Sequence, residues 1–138
     1  MCIEFPLLKK ITHLGIVADP KVTISVLTKS GYRFFSFILD SGADCTMLPR
    51  YEAEHIGIDL SLCPKYHSTK IEGQGITCYG AKITVKIRQD LFPIRCLFSE
   101  KDTTPYLLGK MDIFDKYNII FDNKNEKILF VPIFFENK

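Results

Sequence analysis

The run Phe37-Ile38-Leu39-Asp40-Ser41-Gly42-Ala43-Asp44 constrains this chain more than any other stretch. Phe35, Phe37 and Leu39 alternate on one face of a strand, while Phe34 and Ile38 make the other face largely apolar. Such a strand is buried, and it ends on an acid. A carboxylate at the end of a buried strand is costly unless it is hydrogen-bonded or shares its proton. Gly42 lets the backbone turn back closely and offers an N–H unobstructed by a side chain. Ser41 sets a donor and acceptor beside the acid. By itself Asp-Ser-Gly is an ordinary turn; its meaning depends on the segments around it.

Those segments read mostly as strands. Ile11 to Val17 reads as a first strand and Asp19-Pro20 as a turn. Val22, Ile24 and Val26 alternate with Thr23 and Ser25, a half-buried strand. Lys29-Ser30-Gly31 turns it back into Tyr32 to Leu39, which predicts a hairpin ending at the Asp40 loop. Pro49 suits the first turn of a short helix and Gly57 its C-terminal cap, with Ala53 and Ile56 facing inward. Residues 58–68 read as loop. Lys70 to Thr77 reads as a hairpin tip, with Gly73 and Gly75 flanking Gln74. Ile83, Val85 and Ile87 alternate with polar residues, and Phe92, Ile94, Cys96 and Phe98 follow after a turn at Gln89-Asp90. Pro93 places the second of these strands at an edge or an unpaired position. Tyr106-Leu107-Leu108-Gly109 precedes a short helix expected from Lys110 to Lys116. Asn118 to Asp122 and Lys127 to Val131 read as strands around a turn.

Composition excludes several classes. At 138 residues the chain is expected to be a single domain spanning residues 1–138. Net charge is +2 and the basic residues are scattered, so nucleic acid is not expected as a partner. No apolar run is long enough to span a membrane, and the N-terminus lacks a signal peptide's apolar core. A cytoplasmic protein, without a membrane partner, is the expectation. The five cysteines, at 2, 45, 63, 78 and 96, include no CxxC and are expected to be free, mostly buried thiols. The three histidines form no HExxH pattern, and neither a metal nor another cofactor is expected.

In this order the segments resemble one family. Two apolar residues followed by Asp40-Ser41-Gly42-Ala43, then Met47-Leu48-Pro49, are similar to the active-site loop of retropepsin-like, or retroviral-type, aspartic proteases. The Gly-rich hairpin around Gly73 and Gly75 follows in the right order, and Leu107-Leu108-Gly109 is the third marker of the resemblance. The resemblance covers roughly residues 20–131, and the run from Leu107 through Phe121-Asp122 looks most like small prokaryotic retropepsin-like proteins. It implies an all-β fold: a closed, mostly antiparallel β-barrel with one or two short helices. It also implies a homodimer, because peptide hydrolysis of this kind needs two carboxylates and the chain has one Asp-Ser-Gly.

By the same resemblance Asp40 would be the acid and base, with Ser41 bonding across the dimer axis and Gly42 bringing its backbone to the dyad. Ala43 and Asp44 would bind substrate main chain. Gly73, Gln74, Gly75 and Ile76 would form a flap over the peptide. Leu107, Leu108 and Gly109 would pack behind the loop. Lys110 stands where the family commonly has arginine, and lysine cannot make a bidentate fork to a carboxylate.

The implied function is an aspartic endopeptidase acting on peptides or proteins. The alternative is a binding or dimerisation module that keeps the fold with weak proteolysis or none. A serine hydrolase at Ser41 fits poorly, since Leu39 stands where a nucleophile elbow has glycine. A thiol enzyme at Cys45, with His55 or His67, is the remaining reading.

Overall fold

The computed structural model describes residues 2–69 and 75–134. In chain order the strands are β1 (Ile3–Pro6), β2 (Leu8–Thr12), β3 (Gly15–Asp19), β4 (Lys21–Thr28), β5 (Gly31–Leu39), β6 (Thr46–Pro49), β7 (Lys65–Thr69), β8 (Gly75–Ile87), β9 (Asp90–Ser99), β10 (Leu107–Leu108), β11 (Tyr117–Asp122) and β12 (Lys127–Pro132). One α-helix, α1 (Tyr51–Ile56), follows β6, and a 3-10 turn spans Leu60–Leu62. The fold is all-β.

The main sheet has seven strands in the order β4-β5-β10-β6-β9-β8-β7. Period-two alternation builds it: Val22, Ile24 and Val26 of β4 are buried, as are Phe35, Phe37 and Leu39 of β5 and Ile83, Val85 and Ile87 of β8. The sheet curls until β4 pairs with β8 through Ser25↔Lys86 and Val26↔Val85. The buried faces then meet in one core with Leu48, Ile94, Phe98 and Leu108. Most pairings are antiparallel, but β10 runs parallel to β5 and β6 runs parallel to β9. Pro93 lies opposite Thr84 of β8, ahead of the point where β9 begins to pair with β6 at Cys96. Its missing N–H therefore falls where one side of the strand has no described partner.

A second, three-stranded sheet has the order β1-β12-β11. It packs through Phe130, whose ring lies 4.8 Å from Phe5 and 5.4 Å from Tyr117.

Four expectations need correction. Ile11 to Val17 is not one strand: β2 and β3 form a hairpin that turns between Thr12 and Gly15, and Gly15 takes φ +134. Pro49 ends β6 rather than opening the helix; Arg50 occupies the cap and Gly57, at φ 97, closes the C-terminal end. Residues 58–68 contain the 3-10 turn and most of β7 rather than loop alone. Residues 110–116 form turns, not a helix. Asp112 sits at φ 69, which interrupts a right-handed helix, and its carboxylate is drawn to Arg95.

The helix is tied to the sheet by a polar cluster. Glu52, 9% exposed, accepts from the Tyr106 hydroxyl through Oε2 at 2.5 Å and bonds His55 Nδ1 through Oε1 at 2.7 Å. Tyr51 and Tyr106 share a hydroxyl contact at 2.9 Å. Burial, reinforced by Glu52, pushes the Tyr106 phenol well above its ordinary value, so it remains a donor. Tyr106→Phe leaves one Glu52 oxygen without this donor and is expected to lower stability by about 1–3 kcal/mol. Urea unfolding of the two proteins checks this; equal midpoints and slopes would show that water replaces the phenol at no cost.

Candidate active site

Asp40 follows the last residue of β5, where the strand leaves the core. Its backbone N–H donates to the Leu108 carbonyl at 3.1 Å, and the preceding Ile38 N–H donates to Tyr106 at 2.8 Å. The two-residue strand β10 thus lies parallel to the end of β5, with Leu108 fully buried opposite Leu39 and Leu107 half-buried between Ile38 and Met47. The Asp40 side chain is itself oriented: Gly42 N–H donates to its Oδ1 at 2.9 Å, and Ala43 N–H donates to the Asp40 carbonyl at 3.2 Å. A Cβ on Gly42 would stand 3.2 Å from that same Oδ1. Ser41 and Gly42 are exposed, and Asp40 and Ala43 are half-buried. The acid is therefore held at a fixed angle while its loop stays open to solvent.

The descending part of the loop is clamped by the segment after β10. Lys110 N–H donates to Ala43 at 3.0 Å and Met111 N–H to Asp44 at 2.8 Å. Thr46, fully buried, accepts the Gly109 N–H through its hydroxyl at 3.3 Å. Gly109 lies so close to Cys45 that a Cβ there would fall 2.3 Å from the Cys45 carbonyl carbon. Asp44 points outward, its side chain 90% exposed, and meets Lys110 Nζ at 3.5 Å. This is one point contact and not a fork, as lysine dictates.

The structure thus gathers Asp40, Ser41, Gly42, Ala43, Asp44, Leu107, Leu108 and Gly109 into one hydrogen-bonded unit. Gly75 and Ile76 belong to a different element. They open β8 opposite Thr69 and Ser68 of β7, and the His67 ring lies against Gly75 with no room for a Cβ between them. Gly73 and Gln74, expected at the flap tip, lie outside the described residues.

A cavity of about 570 Å³ opens beside Asp44, lined by Cys45, Tyr66, Gly80, Leu97 and Met111 and bounded by Arg95. It lies between the loop and the base of the β7–β8 hairpin. Arg95 grips Asp112 through Nη2 at 2.8 Å and Nε at 3.0 Å, and its backbone N–H adds a third bond at 2.8 Å. Thr46 and this Arg95–Asp112 pair carry no signature in sequence. A lone threonine and two separated charges become meaningful only when β6, β9 and the 110–116 turns are brought together.

The Arg95 hydrogen bonds hold the Asp112 carboxyl below its ordinary value of 3.8. A depressed carboxyl contributes stability that is complete above its unfolded pKa and is lost as pH falls through the folded value. Asp112→Asn should therefore flatten the loss of stability below about pH 4 and cost about 1 kcal/mol at neutral pH, a modest figure because Arg95 is 53% exposed. Urea denaturation at pH 7 and pH 3 reads both effects. An acid limb unchanged by the substitution would assign it to other carboxylates.

The thiol alternative finds little support in this geometry. Burial, then the nearby Asp44, pushes the Cys45 thiol upward, away from the thiolate that attack requires. His55 is engaged by Glu52, and His67 lies beside Thr77. No disulfide joins any of the five cysteines; Cys78 and Cys96 are buried and the other three half-buried. Among the described residues no group of three or more His, Cys, Asp or Glu side chains is placed to hold a metal ion. No helix among them is long and apolar enough to cross a membrane.

A curled all-β sheet that ends one strand on an Asp-Ser-Gly loop, backed by Leu-Leu-Gly, is the retropepsin-like fold. A retropepsin-like aspartic protease from Rickettsia conorii superposes with a TM-score of 0.62 over 94% of this chain and 91% of that one, at 16% sequence identity. The EIAV protease complexed with the inhibitor HBY-793 gives a looser match, with a TM-score of 0.45 at 23% identity over 65% of this chain and 82% of that one. At such identities the likeness is one of fold. No protein-family model matches the chain, and neither does any curated protein.

Proposed function

We propose that this protein is an aspartic endopeptidase acting as a homodimer on peptide or protein substrates, the whole chain serving as one retropepsin-like unit. The observation that carries this reading is the Asp40 carboxylate. It stands half-buried at a strand end, oriented by Gly42 N–H at 2.9 Å, in a chain with a single Asp-Ser-Gly.

Two such carboxylates, one from each copy, would divide the work. The ionised one takes a proton from water as the oxygen attacks the peptide carbonyl, and the protonated one donates to the carbonyl oxygen. Two like charges in contact cannot both ionise cheaply, so the pair titrates as a unit. Ser41 would bond across the axis and Gly42 would set its backbone beside the dyad. Asp44 and Ala43 would receive substrate main chain, with Lys110 keeping the Asp44 carboxylate in place. Gly73, Gln74, Gly75 and Ile76 would close over the peptide and exclude water. Nothing in this scheme calls for a cofactor.

The scheme makes activity depend on association. Cleavage of a peptide library should show a rate per chain that falls as enzyme is diluted below the dimer dissociation constant. Cleavage first-order in enzyme, with sedimentation showing monomer throughout, would rule out the shared dyad. A dimer that cleaves nothing would instead be the binding or dimerisation module.

A further inference from the structure

The hairpin of β2 and β3 projects from the body, with Lys9 Nζ near its root 3.6 Å from Glu126 Oε1. Its strands pair from Leu8↔Asp19 to Thr12↔Gly15 and belong to neither of the larger sheets. Every residue from Leu8 to Ala18 is exposed. The exposed residues include Ile11 at 86%, Leu14 at 100% and Ile16 at 68%. Ile11 and Ile16 are directly opposed and so share one face, and Leu14 lies in the turn beyond them. A two-stranded hairpin is marginal in water without a third surface to pack on. An apolar cluster at its far end marks a contact.

The root of this arm says where it is placed. On one side Leu7 is buried and its N–H donates to Glu126 at 3.0 Å. On the other, β3 ends at Asp19, and Pro20 accepts the N–H of Leu39 at 2.7 Å. Leu39 is the residue before Asp40. The arm therefore leaves the body beside the loop that, with one carboxylate per chain, is incomplete without a second copy.

We propose that the β2–β3 arm is a clasp, whose Ile11, Leu14 and Ile16 tip seats on the second copy of this chain. The inference rests on the two-copy reading of Asp40. A five-residue strand reaches about 17 Å, enough to cross from a root near the twofold axis onto the opposite protomer. A twofold axis makes the contact reciprocal: each copy extends one arm and receives one. No acid lies between Leu8 and Ala18, so the arm carries no charge of the Asp40 sign to the site where two carboxylates meet.

Two variants of the full chain test the clasp by sedimentation velocity over a concentration series. One carries Ile11→Ser, Leu14→Ser and Ile16→Ser. The other replaces residues 9–18 by Gly-Gly, which the opposed pair Leu8↔Asp19 accommodates. Circular dichroism and urea unfolding check that the body is intact. The clasp predicts a wild-type dimer and, in both variants, a dimer dissociation constant at least tenfold higher. For an active wild type, it also predicts activity recovered at high enzyme concentration. A dimeric wild type whose variants dimerise equally well overturns the clasp and leaves the shared dyad standing. A wild type that stays monomeric at every concentration overturns the two-copy reading, and the clasp with it. A monomer that pellets with phosphatidylcholine–phosphatidylserine vesicles through the same three side chains overturns the clasp in favour of a bilayer contact.

Discussion

Asp40→Asn is expected to abolish the proposed peptide hydrolysis while leaving the fold and the proposed dimer in place. Asparagine matches aspartate in size and can still accept the Gly42 N–H that bonds Oδ1 at 2.9 Å, so the loop keeps its main internal contact. What it cannot do is take a proton from water or hand one to a carbonyl. Loss of general acid–base assistance costs about 10²–10⁴-fold in rate. In the proposed homodimer both members of the pair change at once, so the loss should lie toward the upper end. Turnover of a peptide library by wild type and variant, purified identically, measures it. Hydrolysis by Asp40→Asn at the wild-type rate would remove Asp40 from the chemistry, whatever the fold resembles.

Gly109→Ala is expected to be the most damaging single-methyl change in the loop. The added Cβ would lie 2.3 Å from the Cys45 carbonyl carbon and 2.4 Å from its oxygen. These are backbone atoms, which cannot step aside as a side-chain tip can. Either the loop descending from Asp40 shifts, breaking the Lys110–Ala43 and Met111–Asp44 bonds, or β10 withdraws from between β5 and β6. Overpacking typically costs about 1–3 kcal/mol. Here a loss at or above the top of that range is expected, because hydrogen bonds are broken as well. Thermal and urea unfolding measure the cost, and activity should fall further than stability because the Asp40 seat itself moves. A variant of wild-type stability and activity would mean that the Gly109–Cys45 approach relaxes freely.

The elements legible in sequence were those whose burial follows period two. Val22 to Val26, Phe35 to Leu39 and Ile83 to Ile87 announce strands because one face is in the core. The Asp40 loop was legible because a charge closing an apolar strand is rare without a purpose. The arm was misread because its turn, at His13 and Leu14, carries neither proline nor asparagine, and only Gly15 hints at it. The helix expected over Lys110 to Lys116 would put Ile113 and Tyr117 on its inner face, and both side chains are buried. Just ahead of them the backbone is shaped by Asp112, which sits at φ 69 and reaches Arg95, a partner on another strand that no local pattern reveals. The Tyr106–Glu52–His55 cluster was hidden for the same reason: its members come from β10's approach and from α1, far apart in the chain.

The seat of Asp40 has a bearing on when the site can come into being. Its backbone N–H is held by Leu108, and the loop below it by Gly109, Lys110 and Met111, all in the last quarter of the chain. Contacts so distant in sequence form late, after the entropy of closing the intervening segment has been met. Synthesis runs from the N-terminus, so a nascent chain displays Asp40 long before β10 exists to receive it. Until β10 slides between β5 and β6, the carboxylate hangs on an unanchored strand end. If the proposed peptidase reading holds, a half-made copy has no seated acid with which to cut its neighbours.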